Sequence, residues 1–253
     1  VMQFLPYLPK EISCVVRSPA PDFLSSTAGK KRNRFMTFML HLAEFLCRLK
    51  DVWFSGGYDA VFLQKGIAPI AYRFLDRLLF FCNKKVIFDF DDGITVRQIS
   101  CFRRFPLTLL EDRRQFSRIV KAAKMVVVGN QTLRKDIEGM NENVLVIPTP
   151  VDTACYVPRP ERYRQKERLT ILWSGNCSGY FDLKIAAPAL RELCRSGRCT
   201  CTILGDVYDK SLEEALAGIE INFVPWSVEN EQKAFSEADI GIMPQHDILW
   251  NRR

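Results

Sequence analysis

Three carboxylates stand close together at Asp89, Asp91 and Asp92, in a run that begins Val86-Ile87-Phe88 and ends Gly93-Ile94-Thr95. The β-branched and aromatic residues before them predict a buried strand with the carboxylates at its carboxyl end. Carboxylates in that position can coordinate Mg²⁺, transfer protons, or cap the following helix. The residue types leave all three roles open, and we take Asp91 and Asp92 as the candidate catalytic residues.

A second set of candidate residues lies in the C-terminal half, where glycines directly follow two predicted strands. Gly175, Asn176 and Ser178 follow one strand, and Gly205 follows the next. A residue without a Cβ lets a phosphate approach the backbone, and a helix N-terminus offers free N–H groups with partial positive charge. An ordinary turn explains either glycine equally well when each is taken alone.

Short β-branched strands and longer amphipathic helices alternate along the chain and must position these residues. This alternation is typical of βαβ units with a parallel sheet, where ligands bind at the carboxyl ends of the strands. The predicted strands cover 12–16, 60–63, 85–90, 125–128, 144–147, 170–173, 199–204, 221–224 and 240–243. The predicted helices cover 34–54, 67–82, 107–124, 183–196, 211–217 and 229–237.

The alternation is interrupted between 148 and 168 by prolines and many charged residues, which is typical of a hinge or linker. A length of 253 residues also favours two domains over one. We therefore predict two Rossmann-like, doubly wound α/β domains, 1–150 and 151–253, with the carboxyl ends of both sheets facing one cleft. Because the second domain has only four predicted strands and the first opens abruptly, we expect a chain truncated at both ends.

Several segments together resemble family 4 glycosyltransferases, which have the B-type fold. The run from Val144 to Asp152, with Ile147-Pro148-Thr149-Pro150 at its centre, resembles the interdomain segment of that family. The run Ala238-Asp239-Ile240-Gly241-Ile242-Met243-Pro244 resembles one of its strands. Further resemblances lie at 58–64, 123–130, 172–175 and 203–205.

This resemblance implies a retaining, metal-independent enzyme without a cofactor. It would move a hexose-type sugar from a nucleoside-diphosphate sugar to a polysaccharide or lipid-linked acceptor held by the N-terminal domain. The residues expected to bind the donor are Gly175, Asn176, Ser178, Gly205, Pro225, Trp226, His246, Arg252 and Arg253. Among these, Gly175 and Asn176 would lie near the phosphates and Trp226 beside the nucleobase. The two catalytic glutamates of the family would follow Arg253, so this chain is expected to be inactive.

Two other functions remain open at the level of the sequence. The acidic run also resembles the first motif of haloacid-dehalogenase-type phosphatases, with Asp89 as nucleophile, and Asp206 and Asp209 resemble their late acidic motif. That resemblance implies a Mg²⁺-dependent phosphatase. The transferase is favoured because Asp92 stands where the phosphatase motif has glycine, and because a long segment precedes the motif. The expected absence of the glutamates suggests the other alternative, a non-catalytic binding remnant.

Charge is divided unevenly between the two halves. Residues 1–150 hold 23 Lys+Arg against 14 Asp+Glu, whereas residues 151–253 hold 13 against 15. The chain has no basic stripe interleaved with aromatic residues and no zinc-finger spacing, so we expect no nucleic-acid partner. An anionic membrane surface or a phosphorylated lipid fits the basic half at least as well. The helix at 34–54, preceded by Lys30-Lys31-Arg32, is the candidate for peripheral membrane contact, although an apolar stripe of this kind is more often part of a core.

The expected location is cytoplasmic, at most peripheral at the inner face of a membrane. The first residues lack a signal-peptide pattern, and no uninterrupted apolar run reaches the roughly 18 residues that spanning requires. The nine cysteines show no C-x-x-C spacing. Cys199 and Cys201 share one strand face and could suit a metal, but we expect reduced cysteines buried in the core, and we expect no metal site.

Overall fold

The computed structural model describes residues 2–17, 34–67, 74–91, 93, 114–157 and 167–248. The chain divides into two compact units between Thr149 and Pro150. Within the described residues, each unit contains one four-stranded sheet whose paired strands are parallel. The predicted α/β fold class, with two Rossmann-like units built on parallel sheets, is therefore confirmed.

The strands of the first unit are β1 (Val61–Gln64), β2 (Val86–Phe90), β3 (Met125–Val128) and β4 (Val144–Val146). Its helices are α1 (Arg34–Phe54), α2 (Leu75–Cys82), α3 (Gln115–Ala122) and α4 (Gln131–Asp136). The strands of the second unit are β5 (Leu169–Gly175), β6 (Cys199–Gly205), β7 (Ile221–Pro225) and β8 (Ile240–Gly241). Its helices are α5 (Tyr180–Leu183), α6 (Ala187–Arg195), α7 (Lys210–Ala215) and α8 (Val228–Glu237).

In the first unit the described strands are ordered β1-β2-β3-β4, as in the chain. Side chains alternate across β2, so Val86, Phe88 and Phe90 are fully buried while Asp89 lies on the opposite face. Phe116 of α3 packs edge-on against both phenylalanines, with ring centroids 5.8 and 5.2 Å away. This aromatic cluster fixes the strand whose end carries the acidic run.

The strand order reverses in the second unit, where the sheet runs β7-β6-β5-β8. The chain moves outward from β5 to β7 and then returns to the other side of β5. This reversal places a topological switch point between β5 and β8, the position where open α/β sheets bind ligands. The core beneath it contains Trp173, Tyr180, Leu183, Ile203 and Leu212.

Side-chain caps define where several helices begin. Asn130 accepts a hydrogen bond from the Leu133 N–H, Asp209 accepts from the N–H groups of Ser211 and Leu212, and Ser227 accepts from the Asn230 N–H. Each cap satisfies backbone donors that a first helical turn leaves without intrahelical partners. Ser227 directly follows Trp226, one of the predicted donor residues, so its cap also fixes the segment after β7 that carries this residue.

The sequence predictions of local structure need correction in three places. Residues 12–16 form no strand, and Ile12, Val15 and Val16 are about half exposed. The helix predicted at 183–196 is present as α6, but it begins four residues later, at Ala187, with a proline in its first turn. The short helices α4 and α5 have no counterpart of their own in the prediction.

The cysteines follow the prediction only in part. Cys199 and Cys201 are buried and free, as expected, and burial raises the pKa of Cys201 to about 12. Among the cysteines that the structure describes, four others are free and exposed, so they do not belong to a core: Cys14, Cys47, Cys155 and Cys177.

None of the helices in the described ranges combines the length and the apolar character that crossing a membrane requires.

Candidate functional site

Three predicted donor residues stand side by side at the carboxyl edge of the second sheet. Gly175 of β5 is in register with Gly205 of β6, which is in register with Pro225 of β7. Neighbouring strands lie about 4.8 Å apart, so the three positions fall within roughly 10 Å. The backbone continues this alignment, because the Trp226 N–H donates to the Gly205 carbonyl at 2.8 Å. Residues far apart in the sequence therefore share one edge.

Gly175 has a packing role that the sequence does not reveal. A Cβ at this position would lie 2.7 Å from both Cζ2 and Cη2 of Trp173, whose indole is buried. Gly179 is restricted by the same ring, at 2.9 Å. The two glycines make room for the indole beneath the loop after β5. Proximity of Gly175 to donor phosphates stays a prediction.

The loop after β5 is held by two polar side chains. Asn176 Oδ1 accepts hydrogen bonds from the Ser178 N–H at 3.1 Å and from the Ser178 hydroxyl at 2.5 Å. The Cys177 N–H donates to Asp206 Oδ1 at 2.8 Å, across the strand boundary. The carboxylate of Asp206 therefore accepts a hydrogen bond from a backbone N–H of the loop that the sequence predicted to bind a phosphate.

Gly205 is the most enclosed of the predicted donor residues. A Cβ there would lie 2.8 Å from the Tyr180 hydroxyl and 3.2 Å from the Phe223 ring. The Tyr180 hydroxyl donates to the Val207 carbonyl, and burial raises the pKa of Tyr180 to about 12. This tyrosine links the helix after β5 to the loop after β6, so the two candidate segments are coupled.

Trp226 projects from the end of β7 with 55% of its surface exposed. Its indole N–H donates to Glu231 Oε2 at 2.9 Å, which holds the ring at the first turn of α8. Burial, together with a hydrogen bond to the same glutamate, raises the pKa of Tyr156. Tyr156 also packs edge-on against Phe235 at 5.9 Å. The exposed indole is thus an oriented aromatic surface, and Glu231, which orients it, was not predicted.

The segment after β8 returns to the helix that follows β5. The His246 backbone N–H donates to Asp182 Oδ1 at 2.9 Å, and His246 Nδ1 lies 2.6 Å from the same oxygen. The His246 ring also stacks on Phe181 at 4.2 Å. These contacts join the two sides of the switch point. No local pattern indicates the pairing, since Asp182 and His246 are 64 positions apart.

At the carboxyl edge of the first sheet, Lys65, Asp89 and Asp91 come together. Lys65 Nζ lies 3.3 Å from Asp91 Oδ1, and the Lys65 N–H donates to the Asp89 carbonyl at 2.8 Å. Lys65 has φ +61°, a left-handed conformation that non-glycine residues rarely adopt and that is enriched at functional sites. Burial, and then the nearby carboxylate of Asp91, raise the pKa of Asp89.

The end of the neighbouring strand β3 lies close to Asp91 at the carboxyl edge of the first sheet. A Cβ on Gly129 would lie 3.3 Å from Cα and Cβ of Asp91, so the backbone after β3 passes close to the acidic run. Lys65 was not among the predicted site residues. Its position directly after the parallel strand β1 could have indicated it, because ligands bind at the carboxyl ends of such strands. Within the described ranges, no group of three or more His, Cys, Asp or Glu side chains is arranged to hold a metal ion.

Three predicted site residues, Asp92, Arg252 and Arg253, lie outside the described residues. Asp209, which together with Asp206 resembles the late acidic motif of the phosphatase interpretation, caps α7, and hydrogen bonds from Ser211 and Leu212 lower its pKa.

The fold and these strand-end groups define an α/β protein with two Rossmann-like units. No family model and no curated protein matches the chain. Among solved structures it is similar to an apo structure of OtsA, with 10% identity and a TM-score of 0.47, over 80% of this chain and 57% of that one. It is also similar to a complex of S. aureus MnaA with UDP, with 14% identity and a TM-score of 0.46, over 83% of this chain and 59% of that one.

A third similar structure is a mutant of S. aureus TarM in complex with Fondaparinux, alpha-GlcNAc-glycerol and UDP. The identity is 13% and the TM-score 0.43, over 62% of this chain and 31% of that one. The chain thus spans less than two thirds of the length of each of these three proteins.

Proposed function

We propose that this chain belongs to a glycosyltransferase that uses a nucleoside-diphosphate sugar, with the donor bound by the second unit. The observation that carries the proposal is the alignment of Gly175, Gly205 and Pro225 across three adjacent strands, next to the reversal between β5 and β8. Nucleotides bind open α/β sheets at this kind of position. The motifs that resemble family 4 glycosyltransferases supply the same segments in the same order.

In this proposal the nucleobase stacks on Trp226. Its indole is exposed and oriented by Glu231, and stacking of a base on an aromatic side chain contributes about 1–3 kcal/mol. The diphosphate lies toward Asn176 and Ser178, with His246 near the sugar. Because Asp206 occupies the Cys177 N–H, its carboxylate must turn away or share that donor when a diphosphate approaches. Arg252 and Arg253 would neutralise the leaving diphosphate, as cations do in metal-independent transferases.

The first unit would hold the acceptor, a polysaccharide or a lipid-linked glycan. Lys65 and Asp91 offer a donor and an acceptor of hydrogen bonds at one strand end, a combination suited to sugar hydroxyls. Asp92 follows directly in the chain. Retention of anomeric configuration and independence from metal are part of the proposal through the family resemblance. The use of a lipid-linked acceptor would bring the enzyme to a membrane surface.

Calorimetric titration with nucleoside diphosphates tests the donor assignment. UDP is the first probe, and GDP is the second. We expect saturable binding of at least one of them. Loss of the Trp226 indole in Trp226→Ala should weaken that binding by about tenfold or more. Binding that Trp226→Ala leaves unchanged would contradict the placement of the nucleobase.

Hydrolysis of p-nitrophenyl phosphate with and without Mg²⁺ separates the transferase from the phosphatase. A phosphatase needs Asp89 as its nucleophile, so activity would be present in the natural chain and absent in Asp89→Asn. The transferase proposal expects no hydrolysis in either protein. Mg²⁺-dependent hydrolysis that disappears in Asp89→Asn would overturn the proposal.

A further inference from the structure

Helix α1 carries more apolar side chains than the core of the first unit covers. Phe45, Leu49 and Val52 pack into that core. Four other residues form a second stripe and are exposed: Met39 (45%), Leu42 (39%), Leu46 (54%) and Trp53 (62%). At 3.6 residues per turn they fall within about 60° of one another and extend over roughly 21 Å. The helix therefore has one buried apolar face and one that contacts solvent.

The neighbouring helix α2 extends the exposed stripe. Phe74, which directly precedes α2, and Phe81 are 47% and 81% exposed. Phe74 also meets Phe45 of α1 edge-on, with ring centroids 5.7 Å apart. The exposed Phe74 thus lies beside α1. Apolar side chains clustered in this way usually mark an interaction surface.

The exposed charges around these helices are mainly positive. Residues 34–85 hold eight Lys+Arg against four Asp+Glu. Two of the acidic residues, Glu44 and Asp76, are buried, and a third, Asp51, pairs with Arg48 at 3.1 Å. The exposed cations include Lys50 on α1, Arg77 on α2, and Lys84 and Lys85 directly after α2.

We propose that Met39, Leu42, Leu46, Trp53, Phe74 and Phe81, here named the α1–α2 face, bind the surface of an anionic lipid bilayer. Leu, Phe and Trp insert into the boundary between headgroups and acyl chains, while Lys and Arg attract anionic headgroups. The excess of exposed cations favours a lipid surface over an apolar protein partner. This inference does not depend on the proposed glycosyltransferase activity.

Sedimentation with vesicles tests the lipid surface directly. The chain should bind vesicles that contain phosphatidylglycerol, and bind those of phosphatidylcholine alone much less. Added salt should weaken the binding, because it screens the cations. The double variant Leu46→Gln with Trp53→Gln should reduce partitioning by about tenfold, since two half-exposed apolar side chains no longer insert. Leu193→Gln is the matched control, because Leu193 is an exposed leucine on α6 of the second unit.

Absence of binding to any of these vesicles would overturn the proposal. Binding that Leu46→Gln with Trp53→Gln reduces no more than Leu193→Gln does would also overturn it, because the apolar contact would then lie elsewhere. Circular dichroism shows whether the double variant is folded. Should it fail to fold, Lys84→Glu with Lys85→Glu serves as the second variant. Those lysines lie outside the helices, and the proposal expects at least a roughly tenfold loss of binding to the anionic vesicles.

Discussion

Alanine at Gly175 should destabilise the second unit through Trp173. The new Cβ would lie 2.7 Å from two atoms of the indole, whereas ordinary contact begins near 3.4 Å. The ring must therefore shift by about 0.7 Å, and it is buried, with Gly179 restricting it as well. Overpacking of this kind costs roughly 1–3 kcal/mol of unfolding free energy.

Gly241 provides the matched control for this variant. It also lies in a strand of the second sheet, but a Cβ there would meet nothing within 4 Å. Gly241→Ala should leave the unfolding free energy unchanged or raise it by about 0.4–1 kcal/mol, because alanine restricts the unfolded chain. Urea denaturation followed by circular dichroism compares the two variants, which should change stability in opposite directions or differ by at least about 1 kcal/mol.

A double-mutant cycle tests the cause of the loss. The clashing atoms, Cζ2 and Cη2, lie at the far end of the bicyclic indole, which the single ring of phenylalanine does not reach, so Gly175→Ala should cost much less in a Trp173→Phe background. Equal costs in the two backgrounds, or a Gly175→Ala variant as stable as Gly241→Ala, would refute the packing argument. The result also decides how a donor-binding defect at Gly175 must be interpreted, because a destabilised loop weakens binding without any lost phosphate contact.

Three further predictions follow from polar contacts. Burial and Asp91 raise the pKa of Asp89, so ionisation of this carboxyl costs stability in the natural chain but not in Asp89→Asn. The urea midpoint of Asp89→Asn should therefore rise relative to that of the natural chain as the pH increases from about 4 to about 7; a constant difference would contradict this. Arg118→Met should cost about 3–5 kcal/mol in urea denaturation, because it leaves the buried Asp76 carboxylate without its ion pair, and a loss below about 1 kcal/mol would count against that pair. Asp182→Ala should speed hydrogen exchange at the His246 amide by about tenfold, and an unchanged rate would show that other contacts hold this segment.

The regular elements of both units could largely be predicted from the sequence. Helix 34–54 and strand 125–128 were predicted with the bounds that the structure has, because their apolar periodicity is strong and uninterrupted. The run 12–16 has the same β-branched character but pairs with no described strand and buries little of its surface. Local propensity favours a strand only where a neighbouring strand and a core accept it.

The sequence predicted only those parts of the candidate site that lie at the ends of parallel strands, because the order and direction of the strands fix their position. Glycines at the ends of parallel strands must lie at one edge, so Gly175 and Gly205 were found together. Contacts between distant side chains left no local signal in the sequence. The pairing of Asp182 with His246 and the left-handed backbone of Lys65 depend on tertiary structure, which spacing along the chain does not encode.

The proposed glycosyltransferase function requires that the second unit bind a nucleoside diphosphate at the carboxyl ends of β5, β6 and β7. Titration of the ¹⁵N-labelled chain with UDP or GDP, followed by amide chemical shifts, tests it residue by residue. We expect saturable shifts concentrated at 174–178, 205–207 and 225–227, with a much weaker response in Trp226→Ala. Saturable shifts confined to the strand ends at Lys65 and Asp91, or no saturable shifts with either nucleotide, would contradict it.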